Sequence, residues 1–193
     1  MSMDQRLTEA AQIRDIGERL RQAARAGDID ALHALIREDT RVLERVDENE
    51  DMLMVMWLID VDGSLVRVKG KGGFTPLHHA AENGNLSILR ECFKGYPESI
   101  KDVTFQGDTA LHIAVKKHQK DAFEFLLMDW LRSSSFEDAD FWEGELLNWK
   151  NKEGKTVLHI ATSEHRWKID ISPSGSSDIE IEVEVFDVEI ISG

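Results

Sequence analysis

The sequence predicts an all-α solenoid built from repeated helix-turn-helix units, and three observations carry that expectation. A nine-residue pattern occurs as Gly73-Phe74-Thr75-Pro76-Leu77-His78-His79-Ala80-Ala81, again as Gly107-Asp108-Thr109-Ala110-Leu111-His112-Ile113-Ala114-Val115, and again as Gly154-Lys155-Thr156-Val157-Leu158-His159-Ile160-Ala161-Thr162. The capping threonines stand 34 and 47 residues apart, so the pattern recurs at a period that fits a stack of short helical units. The clearest copy is followed by a left-handed stop at Gly84 and then by a second helical pattern, Leu86-Ser87-Ile88-Leu89-Arg90-Glu91-Cys92-Phe93.

Taken in order, residues 1–19 mix charge with scattered apolar positions and read as a leading helix. Residues 20–46 form the first unit. They have an Ala23-Ala24 pair, a Gly27 stop and a second helix with Ile29, Leu32, Leu35 and Ile36 on one face. That unit lacks Thr-Pro-Leu-His and has a polar first helix, as a terminal capping repeat does when it has only one neighbour. Residues 47–69 are a broken repeat, because Ala23 and Ala80 are 57 residues apart where two full periods need about 66. Its apolar run at 52–59 follows an acidic cap and reads as a second helix whose first helix is short or missing. An ordinary core helix is the plain reading of that run; an exposed Met-rich binding face is the alternative.

Regular units follow at 70–103 and 104–131. In each, threonine caps the first helix by accepting a hydrogen bond from a backbone N–H of its first turn. Pro76 fits that first turn, where its missing N–H leaves no bond unmade. An insertion at 132–145 accounts for the longer 47-residue spacing, and within it Ser134 and Ser135 each have an acid three residues on, a pattern suited to an acid-directed kinase. The unit at 146–168 is cut short, with His165-Arg166-Trp167-Lys168 expected to close its first helix. Residues 169–193 are read as an irregular acidic tail. Within it, residues 179–186 alternate apolar and acidic at period two, which is strand-like, although a helical stack offers no sheet to receive it.

The repeated Thr-Pro-Leu-His-x-Ala core is the ankyrin signature, at a period of about 33 residues. The chain is thus expected to be an ankyrin-repeat solenoid. Within that class, residues 64–168 resemble plant defence-associated ankyrin-repeat membrane proteins of the accelerated-cell-death-like group. The resemblance rests on Ser64-Leu65-Val66-Arg67-Val68-Lys69-Gly70-Lys71-Gly72-Gly73, on Pro97-Glu98-Ser99-Ile100-Lys101-Asp102-Val103, and on Leu147-Asn148-Trp149-Lys150-Asn151-Lys152-Glu153-Gly154-Lys155-Thr156-Val157-Leu158-His159. Members of that group carry several repeats followed by membrane-spanning helices. Here the register is broken at 47–64 and no such segment is present in the sequence, so a truncated or alternatively spliced product is one expectation.

A formal charge of −14 argues against a nonspecific nucleic-acid binder, which needs a basic stripe. Half of that charge lies beyond residue 168, where seven acids occur without a lysine or arginine. A single cysteine, Cys92, excludes an internal disulfide framework and fits a reducing compartment. Its place on an apolar helical stripe favours a buried, inert thiol. The N-terminus lacks a secretory pattern, and the longest apolar run is far short of the roughly 20 residues that span a bilayer. A cytoplasmic protein without a direct membrane span is expected.

Seven histidines raise the question of metal or catalytic chemistry. His78, His112 and His159 each stand three residues after a capping threonine, where an imidazole can lock the turn. One such histidine per repeat is a structural pattern. His118 and His165 take the position of the Gly stop, and His33 and His79 read as helix-surface residues. The sequence contains no H-E-x-x-H, C-x-x-C, nucleophile elbow or phosphate-binding loop. No catalytic residue, metal site or cofactor is therefore assigned.

Binding is what a solenoid offers, along a concave face of turn tips and first helices. The family resemblance implies contact positions at Lys71, Gly72, Phe74, Glu82 and Asn83; at Phe105, Gln106, Asp108, Lys116 and Lys117; and at Lys152, Glu153, Lys155, Ser163 and Glu164. Phe74 and Phe105 are adjacent aromatic anchors on this reading, or core residues on the alternative. Lys71, Lys116, Lys117, Lys152 and Lys155 make the strip basic on an acidic protein and point to an acidic peptide segment of a partner protein. The expected function is a non-catalytic protein-protein interaction module in plant immune or stress signalling. The alternative is a soluble isoform that regulates full-length, membrane-anchored relatives by associating with them.

Overall fold

Met3–Ala26 forms one continuous helix, α1, so the leading residues and the first unit share a single element. The computed structural model describes residues 3–42, 52–130, 145–163, 167–173 and 179–185, with side chains described over 15–42, 56–128 and 145–163. Gly27, at φ 66°, ends α1. Asp28 then caps α2 (Ile29–Glu38) by accepting from the Ala31 amide at 2.9 Å. Leu32, Leu35 and Ile36 of α2 are buried with Leu20, Ala23 and Ala24 of α1 in one core. Burial of each larger side chain contributes roughly 2 kcal/mol.

Met52–Val61 forms α3, which packs beside the second helix of the next unit. Val42 is buried, and residues 43–51 lie outside the described residues. The apolar run divides between the two readings given above. Leu58 and Ile59 are buried, whereas Met56, Trp57 and Val61 are exposed, Trp57 by 41%. Asp62 caps the 3₁₀ segment Gly63–Arg67, which buries Leu65 and Val66.

The two regular units have the predicted parts. In the first, a tight turn at Lys71–Gly73 leads into α4 (Pro76–Asn83), Gly84 reverses the chain at φ 72°, and α5 (Leu86–Gly95) returns under an Asn85 cap. A 3₁₀ turn at Pro97–Lys101 connects to the next unit. There α6 (Ala110–Lys116) is followed by His118 at φ 57°, the left-handed stop that glycine supplies elsewhere, and by α7 (Lys120–Glu124), which widens into a π-helical turn at Phe125–Trp130. The last described unit has a helical turn at 145–148 and α8 (Val157–Ser163). The first helices α4, α6 and α8 lie side by side, and α3, α5 and α7 form the second layer. The molecule is an all-α solenoid in this region. Cys92 is fully buried between the layers, as its stripe position implied.

The tail differs from the irregular conformation expected of it. β1 (Trp167–Pro173) and β2 (Ile179–Val185) pair antiparallel, with Trp167 opposite Val185 and Pro173 opposite Ile179. The period-two pattern does mark a strand. Its partner comes from Trp167 and Lys168, read as a helix end, and from residues 169–173 of the tail, and pairing within a hairpin satisfies the backbone groups of both strands. The insertion lies almost wholly outside the described residues, Ser134 and Ser135 included.

Candidate protein-binding surface

Three hairpin tips with the same internal bonding line one edge of the solenoid. In each, the amide of a first residue (Gly70, Thr104, Asn151) donates to the carbonyl four residues on (Phe74, Asp108, Lys155) at 2.8 to 3.0 Å. The amide of the intervening Gly73, Gly107 or Gly154 donates back, at 2.9 to 3.0 Å. Adjacent tips are then joined through backbone bonds: Phe105 donates to Gly72 O and Lys152 donates to Gln106 O, both at 2.8 Å. The tips form a ladder, and the ladder fixes where their side chains emerge.

The histidines lock this ladder to the helices. Thr75 Oγ1 and the Thr75 amide both approach His78 Nδ1, at 2.7 and 3.2 Å, while the His78 amide points back to Thr75 Oγ1. Because Nδ1 accepts from an amide, the proton sits on Nε2, which donates to the carbonyl of Asp108 at 3.3 Å. His112 repeats the arrangement, with Nε2 donating to Lys155 O at 3.3 Å. Burial pushes His78 down to about 4 and also lowers His112, so both stay neutral. His159 has the same Thr156 contact but is exposed. Each imidazole thus serves its own turn. Among the described residues, no group of histidine, cysteine and acidic side chains could hold a metal ion.

The strip residues fall into three sets. Lys71, Phe105, Gln106 and Lys152 stand exposed on the tips, with Phe105 accessible over 59% of its surface. Phe105 is an outward aromatic. Phe74 is half-buried instead, its ring 5.0 Å from that of His79 and 5.8 Å from that of His78. Asn83, Glu153, Lys155 and Ser163 are exposed, and Lys155 pairs with Glu153 at 3.1 Å; Glu164 lies outside the described residues.

The remaining charges are turned to one another. Asp108 is buried and accepts from Lys116 Nζ at 2.8 and 2.7 Å and from Asn151 Nδ2 at 2.8 Å. Glu82 holds three units together: Arg41 from the preceding segment at 3.0 Å, His79 beside it at 3.2 Å, and Lys117 from the following unit at 3.0 Å. Burial opposes ionisation of Glu82, but the hydrogen bonds from Lys117, Arg41 and His79 outweigh it and hold the carboxyl at about 2. Lys116 and Lys117 are therefore partly neutralised, and Lys71 and Lys152 carry the uncompensated positive charge of the strip among the described residues.

Two histidines read as surface residues have defined places. His79 Nε2 meets Thr40 Oγ1 at 2.9 Å beneath the Glu82 cluster, and His33 Nε2 lies 2.8 Å from Asp62. Their partners are 39 and 29 residues away, beyond the reach of any local pattern. Among the described residues, no helix is long and apolar enough to cross a membrane.

A family model described as ankyrin repeats, in three copies, matches residues 20–140, more than half of the chain. The chain is also similar to the protein named "Ankyrin repeat and SOCS box protein 2" from Bos taurus, Mus musculus and Rattus norvegicus, with 31% identity over 86 residues in each case. That alignment covers 45% of this chain and only 13% of each relative.

Proposed function

The chain belongs to the ankyrin-repeat family, and from that premise we propose that it grips a partner protein along its hairpin tips and first helices, without performing a reaction, in plant immune or stress signalling. Family membership itself indicates a protein-protein interaction module. The observation that supports this particular surface is Phe105. A large aromatic ring stands 59% exposed on a tip whose backbone is pinned to its neighbour, at little remaining conformational cost to binding. Lys71 and Lys152 flank it on the adjoining tips, which suits an acidic peptide segment carrying one apolar side chain. Contacts from Gln106, Asn83 and Lys155 would complete the footprint, whereas Asp108, Lys116 and Glu82 support it from behind.

The plant setting rests on the resemblance of residues 64–168, and the cytoplasmic location on the single cysteine, which fits a reducing compartment. A second reading, association with membrane-anchored relatives, draws on the exposed Met56, Trp57 and Val61 of α3. Capture from a plant extract by immobilised wild type, Phe105→Ala and Met56→Ser/Trp57→Ser separates the two. The tip reading predicts that Phe105→Ala loses the main captured protein and that the α3 variant keeps it. Capture that survives Phe105→Ala but fails with the α3 variant favours the second reading.

A further inference from the structure

A cleft of about 470 Å³ opens between α2, the 3₁₀ segment at Gly63–Arg67 and the connection from α5. Its walls carry the cations Arg37, Arg67 and Lys69, the imidazole of His33, the hydroxyls of Ser64 and Tyr96, and one acid, Asp102. The acids near it are occupied. Asp102 accepts a two-pronged bond from Arg67, Nε to Oδ2 at 2.7 Å and Nη2 to Oδ1 at 2.5 Å. Asp62 accepts from the Ser64 amide at 2.9 Å and pairs with His33 at 2.8 Å.

The fork of Arg67 is fixed from two sides, since its guanidinium also lies 5.2 Å over the Tyr96 ring. Asp102 takes Nε and one Nη2 proton of that fork, so Arg67 offers an anion its remaining Nη protons from a fixed position. Arg37 stands one helical turn from His33 on α2 and therefore on the same face. Lys69 is anchored through Nζ to Val103 O at 2.8 Å, which leaves two of its protons for a ligand. Neither Arg37 nor Lys69 has a carboxylate partner among the described residues. The geometry offers several N–H donors and the Ser64 hydroxyl around a recess wide enough for one tetrahedral anion and its attachment.

We propose that this cleft binds a phosphomonoester carried on a side chain of a partner protein. A phosphate presents oxygens that match forked and point-charge donors at charge-assisted distances. The overall charge decides between a protein and a membrane as the source. Over an extended anionic membrane the whole −14 chain is repelled, whereas a short peptide senses the field within a Debye length of about 8 Å, where Arg37, Arg67 and Lys69 outnumber the carboxylates of Asp102 and Asp62. The proposal does not depend on the tip reading, because it uses none of the tip residues.

The test follows the amide resonances of the full chain by NMR. The probes are an acetylated, amidated Ala-Ala-phosphoserine-Ala-Ala pentapeptide, its unphosphorylated form, inorganic phosphate, and vesicles containing phosphatidylinositol phosphates. The expected result is saturable shifts at Ser64, Arg67, Val68 and Lys69 with the phosphopeptide, at least tenfold tighter than with the unphosphorylated form. Inorganic phosphate should move the same resonances more weakly. Arg37→Glu/Lys69→Glu should weaken phosphopeptide binding at least tenfold with an unchanged circular dichroism melt, whereas Lys71→Glu and Phe105→Ala should leave it intact. The proposal is overturned by an absence of saturable shifts, by equal binding of the unphosphorylated peptide or of inorganic phosphate, by charge reversal without effect, or by vesicle binding tighter than that of the phosphopeptide.

Discussion

His78 of one repeat donates its Nε2 proton to the backbone carbonyl of Asp108 in the next, 3.3 Å away, while its other ring nitrogen holds the Thr75 cap of its own helix. One side chain therefore ties together a helix start, a hairpin tip and two successive units. His112 does the same with Lys155 O.

Truncating these two histidines should be costlier than truncating the third. His78→Ala removes a cap partner and leaves a buried carbonyl and amide short of a bond, a loss of about 3 kcal/mol. His159 is exposed and has no such carbonyl partner among the described residues, so His159→Ala should cost about 1 kcal/mol. Urea unfolding of the two variants measures the difference; equal losses would contradict the inter-repeat role.

Acid should destabilise the fold in two windows. The buried His78 has its value pushed from 6.5 down to about 4, so between those values the unfolded chain binds a proton that the folded chain refuses. Stability from this group is complete above pH 6.5 and is lost as the pH falls toward 4, by about 3 kcal/mol in all. Glu82 acts lower, its contribution present above 4.5 and lost as the pH falls through about 2. Melting temperatures from pH 7 to 4 should fall more steeply for wild type than for His78→Ala, and parallel curves would refute the assignment.

The Glu82 cluster predicts a coupling across repeats. A double-mutant cycle between Glu82→Gln and Lys117→Met should return about 0.5 kcal/mol, since both Lys117 and Arg41 are substantially solvated. The coupling should shrink in 1 M salt, where the Debye length is about 3 Å. A coupling of zero at low salt would remove Glu82 as a link between units.

Two glycines of the tips separate backbone preference from close approach. Gly73 and Gly154 both have positive φ, 77° and 74°. A Cβ on Gly73 would meet Phe105 N at 2.6 Å, whereas nothing lies within 4 Å of one on Gly154. Gly154→Ala should cost about 1 kcal/mol through backbone strain alone, and Gly73→Ala about 3 kcal/mol because the ladder must also shift. Denaturant midpoints distinguish them.

Much of the fold was legible because its signals are local. Thr75 and His78 are three residues apart, and the Gly84 stop follows the helix it ends, so the capping and the turn are written within one window. What escaped depends on residues brought together from a distance. Asp108 reads as a surface acid until Lys116 and Asn151 close over it, and Glu82 reads as a contact residue until Arg41 and Lys117 arrive from the neighbouring units. The hairpin at the tail was half seen: the alternation at 179–185 marks a strand, but nothing local identifies Trp167–Pro173 as its mate. On the strip, lysine spacing conveys charge, whereas only the positions of Asp108, Glu82 and Glu153 decide which lysines remain uncompensated.

The central claim is that the pinned tip around Phe105 grips another protein, and calorimetric titration of the principal captured partner into wild type and Phe105→Ala tests it most directly. The account predicts at least a tenfold loss of affinity, about 1.4 kcal/mol or more, with an unchanged thermal melt. Equal affinity for the two proteins would contradict it.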